Sequence, residues 1–328
     1  MLGLRRNAFE FGSPGLIEQL YRRLRFRDCY AKLDTVPALD ERQHGIVAEL
    51  RRHGTVVLDG YLPQQTLAVM QAEFNEALGK LRFETPCLAQ SRLDPARHAA
   101  LIENFLYGTP QQLRSAGAAF ERNEAHSLEQ VLREFNPSTL TAYMLEQSEI
   151  YRRTWLDPYL LTIAAHYLGS VPKLAEAYVR RNFPSPYRTM NHYWHRDLND
   201  RHQLLKGFVF LSDCSLDNGP HEFIRGSHTD YRRLNGKRYF TDSEVDVEHP
   251  HGSATRLVSE VKAGTVILED TRGLHRARMP QMGYRDLGYM VFMPMPDDTA
   301  VHCYDFPKSA WPTLTAFQRA FVPAANLV

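Results

Sequence analysis

Two textures divide the chain near residue 170. Before it, apolar positions recur at helical intervals; after it, they come in short runs broken by Gly, Pro and Asn. Leu16, Leu20 and Leu24 are spaced by four, with Arg22, Arg23, Arg25 and Arg27 among them, which predicts an amphipathic helix over 14–33 with a solvated basic face. A second helix is expected over 41–53, ended by Gly54, a residue suited to the left-handed stop. A β-branched strand over 55–58 and an Asp59-Gly60 turn lead to a third helix, opened by Pro63 and running to about Leu81. Residues 85–148 show helix and loop without strand patterning. Asp157-Pro158 opens a further helix over 159–168, stopped by Gly169, and His166 within it reads as packed rather than liganding.

Beyond Val171-Pro172, runs rich in Val, Ile, Phe and Tyr alternate with turns, the signature of a sandwich or barrel of short strands. Strands are expected at 174–183, 189–196, 204–213, 221–225, 264–269, 274–278 and 285–294. The polar stretch 229–260 reads as an insertion passing over a rim. The expected fold class is therefore mainly β with flanking helices (α+β). One domain spans 1–328: a mainly helical part (1–170), a β core (171–296) and a C-terminal tail (297–328) with a short helix at 313–321.

Composition narrows the function classes. With 43% hydrophobic and 23% charged residues the chain is ordinary for a globular protein, and a formal charge of +1 offers no field for nucleic acid or an anionic membrane. No apolar run approaches a membrane span, and the opening residues lack the apolar stretch of a signal peptide. Cys29, Cys87, Cys214 and Cys303 lie far apart without C-x-x-C spacing, so neither a zinc site nor a disulfide framework is expected. A cytoplasmic setting with reduced thiols and a small-molecule substrate is the expectation; the oligomeric state is open.

Candidate chemistry centres on Tyr193-Trp194-His195-Arg196-Asp197. Residues i and i+2 of a strand share a face, so His195 and Asp197 converge on one point. Two histidines and one carboxylate around open positions form the site type of oxygen-activating non-haem iron. An H-x-D triplet arises about once by chance in such a composition, and His228-Thr229-Asp230 is a second one, set in a Gly-Ser turn without a strand. A further histidine is needed from His202, His221, His228, His249, His251, His275 or His302. Only His275 directly follows a strand and turn of the expected kind, and ten residues on Arg285 opens the next strand. A guanidinium there could hold the far carboxylate of a dicarboxylate co-substrate through two parallel hydrogen bonds. Arg276 and Arg278 are rivals but sit too close to His275; a surface pair with Asp286 is the plain alternative for Arg285.

Together these features resemble the phytanoyl-CoA dioxygenase family of Fe(II)/2-oxoglutarate oxygenases. TyrTrpHisArgAsp is similar to the YWHxD of its ectoine-hydroxylase relatives. LeuSerAspCysSerLeuAspAsnGlyPro followed by ArgGlySerHis is similar to the family's L-x-D…NGP…PGSH run, with Arg225 in place of proline. GlyThrValValLeuAspGlyTyrLeuPro (54–63) resembles its N-terminal strand and helix start. The likeness covers 44–81 and 157–294. It implies a double-stranded β-helix (jelly-roll, cupin-like) core, Fe(II) on His195, Asp197 and His275, 2-oxoglutarate held by Arg285 with Asn182 nearby, and O2 as oxidant. The implied reaction hydroxylates a C–H bond of a small polar molecule or biosynthetic intermediate, releasing succinate and CO2. Asp197 argues against the halogenase variants of the fold, where a small residue leaves room for halide. The alternatives are a cupin-like metal-dependent isomerase or hydrolase, or a non-catalytic jelly-roll binding protein. Tyr193, Arg196, Phe208 and Arg225 are candidates for substrate contact or for plain packing.

Overall fold

A computed structural model of the chain describes residues 24–80, 139–184, 190–197, 204–229, 239–250, 255–296 and 304–328, with a few isolated positions between them. The predicted helix over 14–33 is described only from residue 24 on, as α1 (Arg27–Ala31). The next helix, α2 (Glu41–His53), begins on Asp40, whose carboxylate accepts from the Gln43 N–H while the Gln43 side chain accepts from the Asp40 N–H. This reciprocal cap satisfies two otherwise orphaned donors. Gly54 ends α2 in the left-handed conformation at φ 77 and turns the chain at once into β1 (Thr55–Leu58). In α3 (Gln64–Lys80), Leu67, Met70, Phe74 and Leu78 form one buried stripe. A short pair, β2 (Arg82–Phe83) with β3 (His126–Ser127), is followed by β4 (Thr139–Ala142) and α4 (Glu149–Trp155). Helix α5 (Pro158–Leu168) has an Asp157 cap, proline in its first turn and a left-handed Gly169 stop, as its sequence predicts.

The remaining strands are β5 (Lys173–Asn182), β6 (Trp194–His195), β7 (Leu205–Phe210), β8 (His221–Ile224), β9 (Tyr239–Phe240), β10 (Arg256–Val258), β11 (Val266–Glu269), β12 (His275–Ala277) and β13 (Arg285–Met293). They form a six-stranded sheet, β1-β11-β7-β13-β5-β4, and a five-stranded sheet, β10-β8-β12-β6-β9, antiparallel throughout. From β5 to β8 the chain changes sheet at every strand, and from β10 to β13 it does so again. That winding is a jelly roll.

Strand alternation gives the large sheet two different faces. Leu205, Val209, Val266, Leu268 and Met290 pack outward with Phe74, Trp155 and Leu160 in the main core. Phe208, Phe210, Ile267 and Leu287 form a separate inner cluster. Close approach of helix to sheet is made possible by Gly288: a Cβ there would lie 2.6 Å from the Trp155 ring, whose Nε1 donates to the Tyr289 carbonyl at 2.8 Å. The inner face carries polar groups as well, and they meet the small sheet. His221 on β8 stacks 4.7 Å from Phe208 and bonds Glu269 at 2.8 Å.

Three features differ from the sequence expectation. Residues 139–142, within the stretch expected to lack strands, pair with β5 as an edge strand, where only one neighbour constrains the residue choice. The expected insertion 229–260 contributes β9 and β10 to the small sheet, pairing with β6 and β8. Between them α6 (Asp242–Glu248) lays Val245 on Trp194, Ile224 and Leu274, covering the outer face of that sheet. The strand expected over 189–196 is mostly a 3-10 turn at Met190–His192, with only Trp194–His195 in the ladder. In the C-terminal tail, α7 (Ala316–Arg319) falls within the expected 313–321, and Phe306, Phe321 and Val322 join the main core.

Candidate metal centre

His195 and His275 sit directly opposite one another on β6 and β12, so their side chains leave the small sheet on one face. The two rings are 4.1 Å apart between centroids, and both residues are buried. His195 Nδ1 lies 2.8 Å from the Tyr193 carbonyl, and His275 Nδ1 lies 3.0 Å from the Gly273 carbonyl. A carbonyl only accepts, so in each ring Nδ1 carries the proton and Nε2 keeps its lone pair. Neither Nε2 makes a hydrogen bond among the described residues; each points to Asp197 instead. His275 Nε2 is 3.6 Å from Asp197 Oδ2, and His195 Nε2 is 4.0 Å from Oδ1. The three ligand atoms fall within 4.8 Å of one another, the one such cluster of three or more His, Cys, Asp or Glu found among the described residues.

Electrostatics favours the ligand forms of all three. Burial pushes His195 down, against the attraction of Asp197. His275 is pushed well below the ordinary imidazole range, by burial first and the neighbouring His195 next. Burial alone would raise the Asp197 carboxyl. The Lys206 ammonium, ahead of the two imidazoles, holds it below the usual carboxylate range. Lys206 Nζ stands 2.5 Å from Asp197 Oδ2 but off hydrogen-bond geometry, leaving that buried oxygen without a directional donor. Two bare imidazole nitrogens facing an ionised, under-bonded carboxylate fit a divalent cation.

Arg285 is fully buried at the start of β13, and its guanidinium donates to the Gly219 carbonyl at the turn before β8. It therefore bridges the two sheets inside the roll and makes no surface pair. The neighbouring Asp286 faces the other way and holds Arg181 by two bonds of 2.7 and 2.6 Å. Asn182 lies opposite Arg285 in the ladder, where its amide donates to the Arg285 carbonyl and accepts from Thr139. The rival arginines lie outside: Arg276 and Arg278 both bind Glu222, and Arg276 also covers the Trp194 ring at 4.6 Å.

The other sequence candidates scatter. Arg196 is buried and spends Nη1 on the carbonyls of Ser227 and Arg272. Arg225 is exposed, Phe208 faces the interior, and Tyr193 meets Tyr239 edge-on at 6.5 Å. Of the rival histidines, His221 is held by Glu269, His228 sits inside a 3-10 turn with its Nε2 3.2 Å from the Arg51 carbonyl of α2, and His249 ends α6. His202, His251 and His302 lie outside the described residues. His166 bonds the Pro37 carbonyl, far from the centre in role. Lys206 was not anticipated from the sequence, although one charge inside the apolar run LeuLeuLysGlyPheValPheLeu (204–211) was a usable signal.

Several solved structures resemble this one. EctD from S. alaskensis with bound Fe superposes with a TM-score of 0.48 at 22% identity, over 77% of this chain and 76% of its own. The non-heme alpha ketoglutarate dependent epimerase SnoN from nogalamycin biosynthesis gives 0.47 at 18%, over 77% and 83%. HygX from Streptomyces hygroscopicus, with nickel, 2-oxoglutarate and hygromycin B bound, gives 0.44 at 18%, over 77% and 87%. No curated protein matches the chain by sequence. The family model of phytanoyl-CoA dioxygenase (PhyH) matches residues 50–279, which include both histidines and Asp197. The chain belongs to the phytanoyl-CoA dioxygenase family.

Proposed function

We propose that this protein is an Fe(II)- and 2-oxoglutarate-dependent dioxygenase that hydroxylates an unactivated C–H bond of a small polar molecule or biosynthetic intermediate. His195, Asp197 and His275 would hold the iron, and Arg285 the distal carboxylate of 2-oxoglutarate. The observation that carries this reading is the pair of bare Nε2 atoms aimed at one ionised carboxylate. When bound, ferrous iron supplies the oxidising chemistry: O2 is consumed, 2-oxoglutarate becomes succinate and CO2, and a substrate C–H becomes C–OH.

The chain's own residues prepare that event. The carbonyls of Tyr193 and Gly273 fix the tautomer and the aim of both imidazoles. A single carboxylate ligand leaves a divalent ion with net positive charge, suited to a chelating 2-oxo acid. Lys206 holds Asp197 in its ionised form. Arg285, buried, offers a planar edge to a carboxylate, and Asn182 braces its main chain. Phe208, Ile267 and Leu287 keep water from the space between the sheets.

The test is aerobic incubation of the purified protein with Fe(II) and 2-oxoglutarate, measuring succinate. Succinate that requires both iron and O2, and disappears in Asp197→Ala, supports the reading. Metal-dependent turnover of another substrate without O2 would instead indicate an isomerase or hydrolase, and neither metal nor 2-oxoglutarate binding a silent binding protein.

A further inference from the structure

The roll holds another inward-facing cation, which neither the metal centre nor Arg285 employs. Arg180 lies on β5 directly across from Leu287, on the face that looks into the interior. Its guanidinium carbon is 4.6 Å from the centre of the Tyr178 ring and 5.3 Å from that of Tyr289. Those two rings stack on each other at 4.8 Å. Arg180 Nε is sealed from solvent and has no hydrogen-bond partner, and no carboxylate among the described residues forms an ion pair with the side chain. The next residue shows the contrast: Arg181, on the opposite face, is fully occupied by Asp286 and Asn75. Glu176, the nearest acidic neighbour on the inner face, is engaged by the Tyr178 hydroxyl at 3.2 Å.

A half-buried guanidinium whose Nε is sealed from solvent, with no anion beside it, is an unfavourable arrangement that a ligand would complete. Tyrosine faces offset part of that cost and keep the group charged, while leaving its N–H edge unused. Ring contacts along the inner face lead from Tyr289 to the metal centre. Tyr289 meets Phe208 at 5.5 Å, Phe208 meets His221 at 4.7 Å, and His221 lies 5.6 Å from His275.

We propose that Arg180 anchors the substrate, and that the substrate carries a carboxylate, bound by two parallel N–H···O contacts while its carbon skeleton lies against Tyr178 and Tyr289. This rests on the oxygenase reading of the site. A carboxylate fits better than a phosphate for two reasons. The planar edge matches a planar bidentate acceptor, and among the described residues no second uncommitted cation faces the spot, since Lys206 pairs with Asp197 and Arg285 is assigned to 2-oxoglutarate.

Calorimetric titration of the full chain with benzoate and with its neutral isostere benzamide tests this. The titration is run with Ni(II) and 2-oxoglutarate present, and repeated without them. Benzoate should bind at least tenfold more tightly than benzamide, and Arg180→Gln should erase the difference while leaving benzamide unchanged. Arg285→Gln should keep the benzoate preference and weaken 2-oxoglutarate instead. No benzoate binding by the unaltered protein, or a preference that Arg180→Gln leaves within twofold while benzamide binding is unchanged, overturns the assignment. If Arg180→Gln lowers both ligands alike, Arg180→Lys decides: a severalfold drop for benzoate alone supports the proposal, and no drop overturns it. Failure of the oxygenase reading is separately visible, as 2-oxoglutarate that does not bind in the presence of Ni(II).

Discussion

His275 faces His195 across the β6–β12 ladder with 4.1 Å between ring centroids, and each ring is tied to the carbonyl two residues before it. The pair is thus set by strand register, and Asp197 completes it from two positions beyond His195. Asp197→Ala removes the one anionic ligand while leaving the imidazoles in place. Iron-dependent succinate formation should fall to background, with metal affinity reduced at least tenfold by calorimetry.

Arg285 is asked to bind a carboxylate by charge-assisted hydrogen bonds, each worth roughly 1.5–3 kcal/mol. Arg285→Gln should weaken 2-oxoglutarate by at least an order of magnitude, while metal binding stays within twofold. Unchanged affinity for 2-oxoglutarate in that variant would remove Arg285 from the site.

Gly219 carries the carbonyl that receives Arg285, in a left-handed conformation at φ 73. A Cβ there would run into the Arg278 carbonyl and come within 2.6 Å of the Pro280 nitrogen. Gly219→Ala should destabilise the fold by about 1–3 kcal/mol and raise the 2-oxoglutarate concentration needed for half-maximal turnover. A variant with ordinary stability and unaltered 2-oxoglutarate response would contradict this link between turn and site.

Glu222 has no exposed surface and holds Arg276 and Arg278 together. Glu222→Ala leaves the nearly buried Arg276 with only its 2.7 Å pair to Asp242, and the expected loss is about 1–3 kcal/mol, since Arg278 can turn to solvent. Chemical denaturation measures it. Iron binding at the folded protein should persist, because Glu222 projects from the outer face of the small sheet.

His192 has its pKa lowered to about 4, by burial first and then by Arg285 and Arg188. In the unfolded chain it returns to roughly 6.5, so between these values the unfolded state binds more protons than the folded one. Its contribution is fully present above about 6.5 and is lost as pH falls toward 4. The unfolding temperature should drop across that window, and His192→Gln should flatten the drop. A profile unchanged by the substitution would show that His192 is not held neutral.

Short-range pattern already specified much of this protein. The caps of α2 and α5, the order of seven strands and the convergence of His195 with Asp197 depend on neighbours a few residues apart, where backbone periodicity and turn chemistry act directly. Spacing also singled out His275 and Arg285 among their rivals, and the fold places them opposite His195 and inside the roll. Other features were decided only in three dimensions. The polar look of 229–260 hid β9 and β10, because edge strands pairing on one side need little apolar sequence. The strand TyrValArgArgAsn gives no sign of which arginine turns inward; the register of β5 against β13 sends Arg180 to the inner face and Arg181 to Asp286. Lys206 reached Asp197 for the same reason. A one-residue slip in pairing exchanges every inward and outward side chain, so the burial of a charge is settled by long-range ladder contacts that no local window contains.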